Sequence, residues 1–222
     1  MKPSQYVEAI VGKRNLNVKD EIGSVTHKVW TIIVHPDWNP MNFSFDADIA
    51  LVVLKEPVAL LKKVIQLINL SRMSEVLSGK GTIVGWGKSE RSEAIGNDYD
   101  YTPNMIELPV VRQSECFEAS KDLQATASNR TFCAGYIDQS IAICSGDSGS
   151  GFYRFDEVNR RYELAGIVSA SVRDPFRLCD IDMYSIFTDI AKFTRWIDQK
   201  LEQTNEIIWK NVNFYCNLHP RS

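Results

Sequence analysis

Short runs of β-branched and aromatic residues recur along most of the chain, and polar turn residues separate them. Alternation of this kind over about four to eight residues is typical of half-buried strands. It predicts strands at Tyr6–Val11, Thr26–Val34, Asp48–Leu54, Thr82–Trp86, Met105–Val111, Gly151–Phe155, Tyr162–Ser169 and Met183–Thr188. Many short strands between polar turns are typical of an all-β sandwich or barrel.

Helical periodicity is confined to one segment near the end of the sequence. Apolar residues recur at helical spacing within Ile190–Gln203, at Ile190, Phe193, Trp196, Ile197 and Leu201. The pattern therefore predicts one C-terminal helix after the strands. The polar stretch Ser71–Lys80 is where we expect one β unit to end and the next to begin.

Composition and charge exclude several classes of function. The 222 residues carry 25 Lys and Arg against 28 Asp and Glu, for a net charge of −3. With this slight negative charge, the sequence lacks the excess of basic residues that is typical of proteins that bind nucleic acid or an anionic membrane surface. No run approaches the roughly 18 consecutive apolar residues that a membrane-spanning helix needs. We expect neither nucleic acid nor a membrane as a partner.

The cysteines and sequons favour an extracellular protein. The sequence has five cysteines and no Cys-x-x-Cys pair, which argues against zinc-finger and thioredoxin-like sites. Acceptor sequons for N-glycosylation begin at Asn42, Asn69 and Asn129. Together these features favour a secreted, disulfide-bonded glycoprotein. The first eight residues contain no apolar signal-peptide region, so we expect that the beginning of the protein is missing from this sequence.

One block of the sequence indicates chemistry: Cys-Ser-Gly-Asp-Ser-Gly-Ser-Gly at 144–151. Ser/Gly composition alone is most often a flexible loop. An arrangement of Cys-x-Gly-Asp-Ser-Gly should, however, arise by chance in roughly one chain of this length in ten thousand. The block is not the nucleophile elbow of α/β-hydrolases either, because Ser150 stands where that motif needs glycine.

The block resembles the nucleophile loop, Gly-Asp-Ser-Gly-Gly-Pro, of the chymotrypsin/trypsin family of serine proteases. Further segments match this family in order: His35-Pro36 with Asp48–Leu51, Val84–Gly87, Phe132–Gly135, Gly166–Ser169 and Phe193–Ile197. The resemblance covers the chain from about Gln5 to Lys200. It implies an all-β, double β-barrel fold with a C-terminal helix.

The resemblance also implies how the chain is divided. We expect a partial first barrel at 1–75 and a second barrel with its closing helix at 76–203. Together they would form one peptidase domain, followed by a tail at 204–222. The first barrel would be incomplete because its opening strands are missing.

The resemblance assigns the family's catalytic roles to the matching positions of this sequence. A serine needs a base to remove its proton and a buried acceptor to orient that base. Ser148 would be the nucleophile and Asp48 the orienting carboxylate. The backbone N–H groups of Gly146 and Ser148 would form the oxyanion hole. Asp147 would pair with the new N-terminal ammonium that zymogen cleavage creates.

The general base has no candidate in the sequence. The family places its histidine roughly 45 residues before the aspartate, where Pro3 stands. Of the three histidines, His35 lies in the family's non-catalytic His-Pro turn, His27 lacks the Ala-Ala-His-Cys context, and His219 lies in the polar tail. We therefore predict that the chain begins inside the first barrel and that the polypeptide as written is inactive.

The family pattern further implies two disulfides and a specificity pocket. Cys116 would pair with Cys133, and Cys144 with Cys179, leaving Cys216 over. Ala142 would form the floor of the primary pocket, six positions before Ser148. The substrate-binding strand and the pocket walls would be formed by Ser169, Ala170, Ser171 and Ser185. An uncharged, shallow pocket would favour small or medium apolar side chains over Arg or Lys.

Two functions remain open at this point. The first is a serine endopeptidase that acts on protein or peptide substrates, needs no cofactor or metal, and meets protease inhibitors or cascade proteases. The second is a non-catalytic serine protease homologue that binds and regulates a proteolytic cascade. The Gly-Asp-Ser-Gly-Ser-Gly-Phe variant resembles secreted arthropod proteases of digestion or immunity.

Overall fold

The computed structural model describes residues 7–41, 44–60, 64–72, 79–88, 99–137, 141–171 and 183–205. Its strands are β1 Glu8–Val11, β2 Val25–Val34, β3 Ala50–Leu54, β4 Asn69–Leu70, β5 Lys80–Gly85, β6 Asn104–Val111, β7 Thr131–Ala134, β8 Gly151–Asp156, β9 Arg161–Ser171 and β10 Ser185–Asp189. Its helices are α1 Gln113–Ala119, α2 Lys121–Thr126, a 3₁₀ turn Ile190–Lys192, and α3 at 194–205. None of the helices in these ranges is long and apolar enough to cross a membrane.

The N-terminal part of the chain forms a three-stranded antiparallel sheet. Strand β2 lies between β1 and β3, with Ile10 opposite Thr26 and Ile33 opposite Leu51. Val29 on the central strand is buried. The end of β2 at Val34 lies beside the start of β3, so the loop that joins these strands, which carries Asp48, emerges at that end of the sheet.

The second β unit is a closed barrel. Its strands follow the order β10-β7-β6-β5-β8-β9, and pairing of β9 with β10 completes the ring. The short strand β4 adds to β9 on the outside in parallel orientation. Phe132, Phe152 and Phe187 pack face to edge or stacked in the interior, with ring centroids 5.1–5.2 Å apart. The all-β barrel and the C-terminal helix expected from the sequence are confirmed.

Some elements differ from those that periodicity predicts. Strands β4 and β7 have two and four residues, and helices α1 and α2 have seven and six. Elements this short show too few repeats for a period to be recognised, so the pattern does not reveal them. The C-terminal helix starts at 194 rather than at Ile190, because the 3₁₀ turn comes first. Asp189 caps that turn through its side chain, which accepts a hydrogen bond from the Ala191 N–H at 3.1 Å.

The C-terminal helix packs against the segment that precedes β3. Ala47 and Ile49 form one buried cluster with Ile190, Phe193 and Ile197. The side chains come from positions far apart in the sequence, and burying them together fixes the Asp48 region against the second β unit. Removal of this apolar surface from water is the main driving force for that contact.

A disulfide joins Cys116 of α1 to Cys133 of β7, as the family pattern implies. Both cysteines are buried, and the bridge closes a loop of 17 residues. Cys144 is also disulfide-bonded. Its expected partner Cys179 lies outside the described residues, as does Cys216.

We predict that replacing both members of this bridge, in Cys116→Ala/Cys133→Ala, lowers the unfolding free energy by about 3 kcal/mol, because the unfolded chain regains the entropy of the open loop. Urea unfolding measures the loss. Since either single substitution already breaks the bridge, the double variant should be little worse than each single one. If each single substitution lowers the unfolding free energy only slightly and the two losses add up in the double variant, the bridge is not stabilising.

Candidate active site

The loop that carries Ser148 is tied to β9 by its backbone. The Gly149 N–H donates to the Val168 carbonyl at 2.9 Å, and the Val168 N–H donates to the Ser150 carbonyl at 2.9 Å. The two bonds hold the loop as a short extension of the barrel wall. The Ser148 side chain is exposed at its tip, where a substrate can approach it.

Gly146 and Ser148 present backbone N–H groups at this loop. Gly146 has φ +101°, a left-handed conformation that side chains disfavour. A Cβ at this position would also lie 3.1 Å from the Gly87 Cα. Within the described ranges, neither the Gly146 N–H nor the Ser148 N–H donates a hydrogen bond. Both donors are thus available to an external acceptor.

The Asp147 side chain turns inward, away from its exposed neighbour Ser148. Its carboxylate accepts hydrogen bonds from the Gly87 N–H at 2.9 Å and the Cys144 N–H at 3.1 Å. Burial nevertheless raises the pKa of this carboxyl, and the nearby charge of Asp100 adds to the rise. The two N–H groups offset the effect only in part.

Two glycines of the Gly-Trp-Gly segment make room for that carboxylate. A Cβ on Gly85 would lie 2.2 Å from Asp147 Oδ1, and a Cβ on Gly87 would lie 2.3 Å from Asp147 Cγ. Neither distance is compatible with a side chain. The segment at 85–87, which the sequence offers only as a family landmark, therefore forms the walls around Asp147.

Asp48 is held by hydrogen bonds from two strands of the barrel, β9 and β10. It stands two residues before β3. Its Oδ2 accepts a hydrogen bond from the Ser169 Oγ of β9 at 2.7 Å, and its backbone carbonyl accepts one from the Thr188 Oγ1 of β10 at 2.9 Å. Ser169 is buried at 9% exposure and Thr188 at 0%. The sequence indicates Ser169 as part of the substrate strand, but it gives no signal for either of these contacts.

Consecutive residues of β9 therefore bring the predicted site together. Val168 holds the loop of Ser148 through backbone hydrogen bonds, and Ser169 holds the carboxylate of Asp48. Consecutive residues of a strand are about 3.3 Å apart. The predicted nucleophile loop and the predicted acid are anchored side by side on one strand.

His35 lies in an enclosed aromatic site. It is 8% exposed, and its ring centroid is 5.2 Å from that of Phe193 and 4.7 Å from that of Trp196. Its Nδ1 accepts a hydrogen bond from the Asp37 N–H at 3.2 Å. Burial lowers the pKa of the imidazole, so this ring packs as a neutral group.

His27 lies at the opposite end of β2 from Asp48. Val34 stands beside the start of β3, and His27 precedes Val34 by seven residues, which corresponds to about 23 Å along a strand. A histidine must be within hydrogen-bond distance of both the nucleophile and the acid to serve as the base. His219 lies outside the described residues.

The predicted pocket residues fall on the ends of β9 and β10 and on the loop before Cys144. Ser185 is buried and stands opposite Ser171 across the two strands, and Ala170 stands opposite Ile186. Ala142 is half-buried two residues before Cys144. The register therefore places the two predicted wall positions next to each other. The segment 172–182 lies outside the described residues.

We predict that Asp147 makes the unfolding free energy fall as pH rises. Its pKa is higher in the folded chain than in the unfolded chain, where it is about 3.9, so the folded state binds more protons between these two values. Urea unfolding across this window should show the slope in the unchanged protein. Asp147→Asn, which cannot titrate, should lack that part of the slope. A difference between the two proteins that stays constant with pH would contradict a raised pKa.

A family model and several known proteins are similar to this chain in sequence. The family model described as Trypsin matches residues 3–197. Serine protease gd of Drosophila melanogaster is 30% identical over 87% of this chain and 42% of its own length. Limulus clotting factor C of Carcinoscorpius rotundicauda is 36% identical over 76% of this chain and 16% of its own length.

Chymotrypsin-C of Bos taurus is 32% identical over 86% of this chain and 68% of its own length. The chain thus spans less than half the length of the serine protease gd and clotting factor C relatives, and about two thirds of the length of the chymotrypsin-C relative. The family match extends over most of the chain and includes the loop of Ser148, the segment of Asp48 and the strand that joins them. The chain belongs to the chymotrypsin/trypsin family of serine proteases.

Proposed function

We propose that this chain is a serine endopeptidase that cleaves peptide bonds through an acyl-enzyme on Ser148. The observation that carries the proposal is the anchoring of Asp48 and of the Ser148 loop on consecutive residues of β9. An exposed serine and a carboxylate with a fixed orientation are two of the three groups that this chemistry needs.

The proposed reaction begins with attack of Ser148 Oγ on the substrate carbonyl carbon. The Ser148 proton passes to an imidazole base, and Asp48 stabilises the resulting imidazolium. The carbonyl oxygen becomes an oxyanion and accepts hydrogen bonds from the N–H groups of Gly146 and Ser148. The base returns its proton to the leaving amine, and water then hydrolyses the ester by the same steps.

We further propose that residues 1–222 alone supply no imidazole base. His27 lies about 23 Å along the strand from the Asp48 end of its sheet. The His35 ring is enclosed by Phe193 and Trp196. His219 lies in the polar tail of the sequence. Loss of one triad member leaves only about 10³–10⁴-fold acceleration over the uncatalysed reaction.

The second candidate is a non-catalytic homologue that acts by binding. It is favoured by the lack of a histidine beside Asp48 among the residues that the structure describes. Three features speak for the enzyme instead. Gly146 holds a conformation that leaves two N–H donors without a described acceptor, Ser148 is exposed, and Ser169 orients Asp48. A binding surface has no chemical need for this combination.

The setting that we propose is extracellular and proteolytic. Relatives named serine protease gd and clotting factor C favour protein substrates and partner proteases in a cascade. Exposed sequon residues Asn69 and Asn129 and the Cys116–Cys133 bridge support secretion and glycosylation. Asp147, half-buried beside Gly85 and Gly87, is the proposed acceptor for a new N-terminal ammonium on activation of a zymogen.

We also propose that 1–203 form one peptidase domain. Strand β4, which lies within the first part of the sequence, pairs with β9 of the barrel. Arg72 forms an ion pair with Asp198 of the C-terminal helix, with an N–O distance of 2.8 Å. Contacts of this kind across the expected division at about residue 75 favour one folding unit.

We predict that residues 1–222 hydrolyse neither peptides nor activated esters at an enzymatic rate, and that added imidazole restores ester hydrolysis. The external imidazole would take the place of the missing base beside Asp48 and Ser148. An activated ester is the suitable substrate because its leaving group needs no proton. The rate of ester hydrolysis at increasing imidazole concentration measures the effect.

Ser148→Ala is the matched control, since it removes the proposed nucleophile from an exposed position. The enzyme proposal expects an imidazole-dependent rate that this substitution abolishes. Equal rates in both proteins at every imidazole concentration would favour the binding homologue. Turnover that depends on Ser148 without imidazole would show that His27, His35 or His219 serves as the base.

We predict that the primary pocket prefers small or medium apolar side chains. Ala142 offers no charge for an incoming Arg or Lys, and the predicted walls are formed by Ser171 and Ser185. A side chain that fits or fails to fit such a pocket changes the transition-state free energy by about 1–3 kcal/mol. Imidazole-assisted cleavage of esters with Ala, Leu and Arg at the acyl position compares them. Faster cleavage of the Arg ester would contradict the assignment of Ala142.

A further inference from the structure

Arg130 forms the most extensive charged contact in the described part of the chain. Its Nε donates to Asp46 Oδ1 at 2.9 Å, and its Nη2 donates to Asp46 Oδ2, so the pair is bidentate. Its Nη1 donates to Asp37 Oδ2 at 2.8 Å. The guanidinium carbon lies 5.1 Å from the centre of the Phe193 ring. All three nitrogens of the planar guanidinium thus donate hydrogen bonds to carboxylates, and its face lies over an aromatic ring.

The contact joins the two β units at a defined point. Asp37 and Asp46 belong to the segment between β2 and β3, whereas Arg130 directly precedes β7 of the barrel. Ser128 Oγ also donates to Asp46 Oδ1, at 2.8 Å. The hydrogen bonds from Arg130 are the first cause of the lowered pKa of Asp46, so this carboxylate stays charged and bound.

Asp46 is two residues before Asp48, and the residue between them is held in an unfavourable conformation. Ala47 is fully buried with φ +56°, in the left-handed region that residues with a Cβ rarely adopt. Such a conformation persists only where the surroundings enforce it. Here the Asp46 side chain is fixed on one side of Ala47 and the Asp48 side chain on the other.

Arg130 also acts on Asp48 through its backbone. Its carbonyl accepts a hydrogen bond from the Asp189 N–H at 2.9 Å. Asp189 follows Thr188, whose hydroxyl donates to the backbone carbonyl of Asp48 at 2.9 Å. The side chain and the backbone of one residue thus constrain the chain on both sides of the proposed acid.

We propose that Arg130 is a positioning residue for Asp48 and acts through Asp46. Its guanidinium keeps Asp46 in place, which keeps Ala47 in the left-handed conformation and directs the Asp48 carboxylate to Ser169. The proposal rests on the proposed function only in that Asp48 is the acid of the triad. An ordinary ion pair would contribute to stability without directing Asp48.

The test uses Arg130→Met, which removes the guanidinium, and Asp46→Asn, which removes the charge with little change in volume. Asp46→Asn serves as the second variant should Arg130→Met fail to fold. Arg130→Lys keeps the charge without the bidentate geometry. Arg72→Met is the control, because it breaks an exposed Arg–Asp ion pair. Neither side chain of this pair forms a hydrogen bond or ion pair with the described residues of the Asp48 loop.

The first measurement is the crystal structure of each variant. We expect Arg130→Met and Asp46→Asn to lose the left-handed φ at Ala47 and the hydrogen bond between Ser169 Oγ and Asp48 Oδ2. Arg72→Met should keep both. Retention of both features in Arg130→Met or Asp46→Asn would overturn the proposal, and this result does not depend on any activity.

The second measurement is imidazole-assisted ester hydrolysis. We expect kcat to fall by about tenfold to a hundredfold in Arg130→Met and Asp46→Asn, since small misplacements of a reacting group cost rates of this order. KM should stay unchanged, and Arg130→Lys should recover part of the loss. If the variants have a lowered Tm and an unchanged kcat, Arg130 contributes only to stability, and the proposal that it positions Asp48 is wrong. Absence of any Ser148-dependent rate in the unchanged protein would count against the proposed function alone.

Discussion

The hydrogen bond from Ser169 to Asp48 connects positions that are 121 residues apart in the chain. The next residue back along β9, Val168, makes two backbone hydrogen bonds to the loop of Ser148. The proposed catalytic arrangement depends on this strand, because no other described contact brings the Asp48 loop and the nucleophile loop to one place. The barrel gives β9 its rigidity, since β8 and β10 pair with it on either side.

The second constraint is the site that the fold provides for the carboxylate of Asp147. Asp147 occupies a site that exists only because Gly85 and Gly87 have no side chains. Two backbone N–H groups stabilise its carboxylate, but burial still raises its pKa. Among the described residues no cation pairs with this carboxylate. An ammonium group brought to the site would supply one, which is the physical basis of the proposed activation.

Much of the fold follows from the sequence because its longer strands alternate in a recognisable way. The landmark segments also predict the Cys116–Cys133 bridge, which the structure contains. The roles that they assign to Ser148 and Asp48 stay predictions. The contacts around them could not be predicted. Strand β7 and helices α1 and α2 are too short to show a period.

Side-chain partners depend on packing rather than on local pattern. Ser169 and Thr188 contact Asp48 because β9 and β10 pass beside its loop, and a serine or threonine in a strand gives no sign of such a role. The left-handed conformation of Ala47 is equally hidden, since alanine has no preference for it. We attribute it to the fixed positions of its two neighbours, Asp46 and Asp48. These are the features on which the geometry of the proposed acid depends.

The most direct test of the account is the structure of residues 1–222 after reaction with a serine-directed phosphonate in the presence of imidazole. We expect the phosphorus on Ser148 Oγ, with one phosphonyl oxygen about 2.7–3.1 Å from the backbone nitrogens of Gly146 and Ser148. Asp48 should remain bonded to Ser169 beside the adduct. No adduct on Ser148, or an adduct whose oxygen points away from both nitrogens, would contradict the proposed site.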